Sequence, residues 1–220
     1  MSLHHQVWSD RHGEEAGRVP GGRPSGTEGY SEEAEALVRQ YESISFGDVH
    51  KQILHLIPKP PARVLDIGAG TGRDAAGFAA MGHIVTAVEP TAELRIRAMK
   101  LHVSPRIEWL DDSLPNLPVV SGRGETFDVV MLTAVWMHLD EQQRRRAMVC
   151  AASLVRPGGL VALSLRHGPV PAGRRMFDVT TAETITLAQA EGLTCVQRLE
   201  NVVGLLKRPG ISWDLLAFVR

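Results

Sequence analysis

Between residues 63 and 165, short apolar runs alternate with amphipathic stretches. Val64-Leu65-Asp66-Ile67, Ile84–Val88, Arg106–Leu110, Phe127–Thr133 and Leu160–Leu165 read as buried strands. The fourth is almost wholly apolar, as a central parallel strand covered on both faces should be. Helical signals fill the gaps. Asp74–Met81 closes at Gly82, and Thr91 can cap a helix with Leu94, Ala98 and Leu101 on one face. Asp140 and Gln143 have capping-box spacing before a helix that runs to Arg156 and stops at Pro157-Gly158-Gly159. Thr180 and Glu183 repeat the box ahead of a helix ending at Gly192. Pro115, Pro118 and Gly122 mark a loop or short irregular helix. Leu193–Leu199 and Trp213–Val219 add two strands with no helix between them, so they should pair as antiparallel neighbours. The pattern predicts an α/β fold with a doubly wound, seven-stranded, mostly parallel sheet.

The first 60 residues differ. Residues 1–30 are rich in glycine and scattered charge, with little to bury, and predict a flexible tail. Ser31 can cap a first helix, and a second around Gly47–Leu56 carries Val49, Ile53, Leu56 and Ile57 on one side. Pro58, Pro60 and Pro61 then stop it. The expected division is a tail over 1–30 and a domain over 31–220, whose helical segment 31–58 covers a ligand site as a lid.

Composition narrows the class. Apolar content of 44%, charged content of 22% and a net charge of −1 fit a globular protein with no overall pull towards nucleic acid or an anionic membrane. Cys150 and Cys195 lie far apart, without metal or redox spacing, and read as core fillers in a reducing compartment. No apolar run reaches spanning length and the N-terminus lacks a signal-peptide core, so a cytoplasmic location is expected.

The chemistry concentrates at Arg63–Asp74, where the first strand breaks into Gly68-Ala69-Gly70-Thr71-Gly72 ahead of a helix. Alternate glycines let the backbone turn sharply and approach a ligand, and the helix N-terminus points unpaired N–H groups at the turn. The third glycine of a dinucleotide fingerprint would fall at position 73, which is Arg73, and no Lys-Ser or Lys-Thr completes a Walker loop. Asp66 stands just before the turn, Glu89 ends the second strand, and Asp112-Ser113 ends the third, with Asp111 the alternative register. These strand ends share the carboxyl edge of the sheet, where open α/β sheets bind ligands. A carboxylate at Asp66 suits a zwitterionic amino-acid tail, one at Glu89 a ribose diol, and one at Asp112 an adenine amino group.

Val64–Gly72, Val88-Glu89-Pro90, Asp112-Ser113-Leu114-Pro115, Phe127–Val130 and Arg156–Gly159, in this order, resemble the motifs of class I S-adenosylmethionine-dependent methyltransferases over residues 35–220. Residues 159–175 resemble small bacterial members of unassigned substrate. The resemblance implies strand order 3-2-1-4-5-7-6 with the seventh strand antiparallel. It also implies S-adenosylmethionine as cofactor and S-adenosylhomocysteine as product. It places Asp66, Gly68, Ala69, Gly70 and Gly72 at the methionine moiety and Glu89 with Pro90 at the ribose. Asp112 with Ser113 would meet the adenine, and Thr133 and Ala134 would line the donor site.

Other residues keep two readings. His138, just after the fourth strand, is either a general base, since its ordinary pKa lies near neutrality, or a residue that starts the next helix. Trp136 is a pocket wall or core filler; Arg166, His167, Arg174 and Arg175 hold an acidic substrate or satisfy their loop. Arg73 and Asp74 pair with each other or touch the donor. Asp128 reads as a loop-binding carboxylate far from the site, and Arg144-Arg145-Arg146 as a solvated helix face.

The expected activity is methyl transfer to a small-molecule acceptor, without a metal. The fourth strand leads into Thr133-Ala134-Val135-Trp136, with none of the Asn- or Asp-Pro-Pro-Tyr sequence of nucleic-acid amino methylation, and no Pro-Cys pair offers a nucleophile. The alternatives are a non-catalytic S-adenosylmethionine-binding protein, a tRNA or protein methyltransferase, and a nicotinamide-dependent oxidoreductase, which Arg73 disfavours.

Overall fold

The computed structural model describes residues 24–220. Its sheet consists of β1 (Arg63–Ile67), β2 (Ile84–Val88), β3 (Ile107–Leu110), β4 (Phe127–Leu132), β5 (Val155–His167), β6 (Thr194–Val203) and β7 (Ser212–Val219). The order is β3-β2-β1-β4-β5-β7-β6, with β7 antiparallel to both β5 and β6, as predicted. The sheet's parallel pairs put the carboxyl ends of β1 to β5 on one edge.

Strand side chains alternate between the two faces. Leu65, Ile67, Val130, Leu132, Val161 and Leu163 pack into one core with α6 (Glu141–Leu154) and α7 (Thr181–Ala190). Val64, Val129, Met131, Leu160 and Ala162 face the other, against Ala75 and Phe78 of α3 (Arg73–Ala80). Asp66 shares the parity of Val64 and is therefore aimed at the α3 side. Phe78 is fully buried, a gain of about 2–3 kcal/mol over exposure. Between β2 and β3 runs α4 (Ala92–Leu101), and α5 (Pro118–Ser121) is the short irregular helix that the prolines suggested.

Several boundaries shift. α6 ends at Leu154 and β5 begins at Val155, so Pro157-Gly158-Gly159 lies inside the strand as an irregularity. Phe127 pairs with Val155 and Val129 with Leu160, so β5 already runs beside β4 where the helix was expected to continue. α1 (Ala34–Tyr41) has Glu33, not Ser31, at its N-cap. The second helix is the short α2 (Phe46–His50), which Ser45 caps by accepting a hydrogen bond from Asp48 N; a 3-10 turn at Leu54–Leu56 follows. The capping box of Asp140 and Gln143 is complete. At Thr180 only the first half forms, because Glu183 is drawn to Arg144 instead.

Of the expected tail, residues 1–23 lie outside the described residues. From Pro24 the chain is placed, and Tyr30 stacks beneath Arg174, 4.0 Å from ring centroid to guanidinium. Arg174 also binds Glu28 O and Glu33 Oε2, so one side chain ties down residues 28 to 33. Among the described residues, no helix is long and apolar enough to cross a membrane.

Candidate functional site

The carboxyl edge opens into a cavity of about 630 Å³. Its floor is the turn after β1. Gly68, Gly70 and Gly72 hold φ of 70°, 57° and 89°, the left-handed region that an L side chain resists. The turn is pinned to β2 because Gly68 N and Ala69 N both donate to Val88 O. A Cβ at Gly68 would lie 2.5 Å from Val135 Cγ2, so the chain after β4 can close over the turn only with glycine there. Gly72 differs from its two partners. It does not line the cavity but faces His102 and Trp109, and its place is structural.

Glu89 is the centre of the floor. Buried at the end of β2, it accepts from Gly70 N (2.8 Å) through Oε2 and from Thr91 N (2.7 Å) through Oε1. Thr91, expected to cap α4 with its own hydroxyl, makes no such bond; Glu89 satisfies the helix start instead. Burial raises the Glu89 pKa, against those hydrogen bonds and the Arg95 charge.

Asp66 is buried with Oδ2 unpartnered. Burial, and then the nearby Asp74 charge, push its pKa well up. Asp74 behaves oppositely. Burial opposes its ionisation, but His50 and Arg73 outweigh that and hold it far below the carboxylate range. His50 Nε2 lies 2.8 Å from Asp74 Oδ2 and Arg73 Nε donates to Oδ1 at 2.8 Å, so Arg73 and Asp74 pair with each other and with α2. α2 is seated further by Phe46, whose ring lies where a Cβ on Gly77 would be, 2.2 Å from Cγ.

At the end of β3, the buried Asp112 lines the cavity, whereas Asp111 turns outward to Arg95. Asp112 accepts from Ser113 N through Oδ1 and from Val119 N and Val120 N through Oδ2, each at 2.9 Å, which fixes α5. Ser113 and Pro90 line the cavity beside it, as do Thr133 and Ala134. Ala134 has φ of 59°, held by its N–H donating to Ser164 Oγ at 2.8 Å. A non-glycine residue in that region stores about 1–3 kcal/mol, and such strain gathers at functional sites.

His138 lies in a 3-10 turn after β4 and faces the same cavity. Its Nδ1 is 2.8 Å from Arg175 O, which can only accept, so Nδ1 carries the proton. Nε2 is then the acceptor for Tyr30 O–H at 2.9 Å. Burial lowers the His138 pKa, with the Arg174 charge acting the same way, and so favours the neutral ring. Tyr30 is the residue that sequence reasoning missed. It sat in the expected tail, and no local pattern joins it to a histidine 108 positions away.

The remaining candidates are committed elsewhere. Trp136 is fully buried in the core and is no pocket wall. His167 faces Asp214 at 2.9 Å, and Asp128 holds Arg63 N and Arg156 at the far edge. Arg175 binds His138 O, Gln143 and Asp140. Arg144 corrects the solvated-face reading: it is buried, donating to Glu183 and to Leu139 O.

Residues 64–159 match the family described as methyltransferase domain. The ubiquinone biosynthesis O-methyltransferase of Methylobacterium nodulans is 32% identical over 179 residues, covering 72% of this chain and 69% of that protein. The chain belongs to the class I S-adenosylmethionine-dependent methyltransferases. Over shorter stretches the overlap is smaller. The ubiquinone biosynthesis O-methyltransferase of Methylocella silvestris is 35% identical over 105 residues, 47% of this chain and 40% of that protein. The chain spans 40 to 50% of the length of four such curated relatives. In fold, it is similar to 1,6-didemethyltoxoflavin-N1-methyltransferase of Burkholderia thailandensis, solved with 1,6-didemethyltoxoflavin and S-adenosylhomocysteine bound. That match has a TM-score of 0.58 and 22% identity and covers 95% of this chain and 98% of the other.

Residues of the cavity floor have the chemistry to fit the family's donor, S-adenosylmethionine. The orphaned Oδ2 of Asp66 is a buried acceptor suited to an ammonium group, and the glycine cradle leaves room for chain atoms where side chains would stand.

Proposed function

We propose that this protein transfers the methyl group of S-adenosylmethionine to a small-molecule acceptor. The observation that carries the reading is the convergence of Asp66, Glu89 and Asp112 on one cavity floor beside the glycine turn. S-adenosylmethionine supplies a sulfonium-activated methyl when bound. Asp66 receives the donor's ammonium. Gly68, Ala69 and Gly70 pass along its amino-acid portion, Glu89 with Pro90 takes the ribose hydroxyls, and Asp112 with Ser113 meets the adenine edge. Thr133 and Ala134 line the donor's reacting end. Glu89 is aligned for its task because Gly70 and Thr91 already fix both its oxygens.

The acceptor occupies the other half of the cavity, under α1, α2 and the segment from Pro24. Excluding water and holding the acceptor in line with the methyl is the main contribution to rate, since the donor is already activated. An acceptor that must lose a proton gives it to Tyr30 oxygen, while Tyr30 passes its own proton to His138 Nε2. His138 thus acts through Tyr30 rather than by direct contact, and Arg175 O fixes the tautomer that makes this work.

The test is incubation with methyl-labelled donor and a metabolite extract, with protein- and RNA-containing fractions run separately. Label in a low-mass product supports the reading. Label only in protein or RNA, or none with any fraction, contradicts it.

A further inference from the structure

Most described arginines bridge a carboxylate, including Arg73, Arg174 and Arg175 around the cavity. Arg166 and Arg208 line the same cavity, and neither meets a carboxylate among the described residues. Arg166 leaves the end of β5, half-buried, with Nη2 donating to Pro169 O at 2.9 Å and Nη1 only 3.4 Å from Gly168 O. Two carbonyls orient the guanidinium without neutralising it. Arg208 stands on the turn between β6 and β7, exposed. Burial, and after it the Arg208 charge, lowers the Arg166 pKa.

The carboxylates on the cavity wall offer no relief. Asp66, Glu89 and Asp112 belong to the donor half; Asp74 is held by His50 and Arg73, Glu33 by Arg174 and Asp48 by Ser45. Beside the arginines, apart from Lys207, the wall is apolar: Met176, Ile211 and Trp213, with Leu205 and Leu206 half-exposed at the rim. Unpaired like charges above an apolar floor cost free energy that an anionic ligand would offset.

We propose that Arg166 and Arg208 form the anion-recognising end of the acceptor site, and that the acceptor is a small carboxylate with an apolar body. The proposal rests on the methyl-transfer reading and deepens it. The carboxylate bridges the two guanidiniums, the apolar body lies along Met176 and Trp213, and the far end points back towards Tyr30 and the donor half.

The test titrates the protein, pre-loaded with S-adenosylhomocysteine, with 4-hydroxybenzoate and cinnamate and then with their neutral amides. The carboxylates should bind at least about tenfold more tightly than the amides. Arg166→Gln and Arg208→Gln should each erase most of that difference and leave the amides and S-adenosylhomocysteine unaffected; Arg166→Lys should restore part of it. Equal binding of acids and amides, binding of none, or inorganic phosphate outcompeting the carboxylates would overturn the proposal. So would loss of S-adenosylhomocysteine affinity in the Gln variants, which would assign the arginines to the donor. Failure of wild-type protein to bind S-adenosylhomocysteine would instead overturn the methyl-transfer reading, and this proposal with it.

Discussion

Tyr30 oxygen stands 2.9 Å from His138 Nε2, joining the segment ahead of α1 to the turn after β4. The bond does two things at once. It holds Tyr30 against the turn after β4, and it joins two side chains that both line the cavity.

Removing that hydroxyl should slow turnover on an acceptor that must be deprotonated. Tyr30→Phe is expected to reduce kcat by about 10²-fold, the scale of general-base catalysis, with S-adenosylhomocysteine affinity unchanged. Because burial lowers the His138 pKa, the neutral base persists below the ordinary value of about 6.5. The acidic limb of the kcat profile should therefore fall below that pH, and a limb above it would contradict the relay.

In the proposed donor site, Asp66 should make donor affinity depend on pH. Burial and Asp74 raise its pKa, so in the free protein it keeps its proton to higher pH than an ordinary carboxylate. An incoming ammonium favours the carboxylate, so binding releases a proton and tightens as pH rises. Calorimetry in buffers of different ionisation enthalpy should detect that release, and Asp66→Asn should abolish it.

The His50 and Asp74 pair clamps α2 to α3, and its loss should be felt in stability. Asp74→Asn takes from the Arg73 guanidinium and from His50 the carboxylate that they share, and is expected to cost about 3 kcal/mol in denaturant unfolding. The sign with pH follows from the depressed Asp74 pKa. The carboxylate's contribution is whole above the unfolded value of about 4 and fades as pH falls below it. The variant's stability should be flatter with acid than the wild type's.

Gly77→Ala offers a contrary test of packing against propensity. Alanine in a helix interior ordinarily gains about 0.5–1 kcal/mol over glycine. Here its methyl meets the Phe46 ring, so α2 must lift. The expected result is net destabilisation of about 1–3 kcal/mol, with faster hydrogen exchange at residues 46–50.

The sheet was legible because its strands are short β-branched runs with chemistry at their ends, and strand parity dictates which face each residue takes. Asp66, Glu89 and Asp112 could be read together because one topology places successive strand ends on one edge. What escaped depended on distant partners. Tyr30 and Arg208 gain their places only when residues far apart in sequence meet across the cavity. Arg144 was readable in principle: Ala147, Met148 and Ala151 follow it at helical spacing on the buried face, and the run of three arginines masked that periodicity. Asp112 showed its type but not its burden, because the amides of Val119 and Val120 reach it only once the chain has turned back into α5.

Whether the cavity floor holds a methyl donor is decided by calorimetric titration with S-adenosylhomocysteine and, separately, NAD. S-adenosylhomocysteine should bind, Glu89→Gln and Asp66→Ala should each weaken it at least about tenfold, near 1.4 kcal/mol, and NAD should give no response. Binding of NAD without S-adenosylhomocysteine, or unchanged affinity in both variants, would contradict the account.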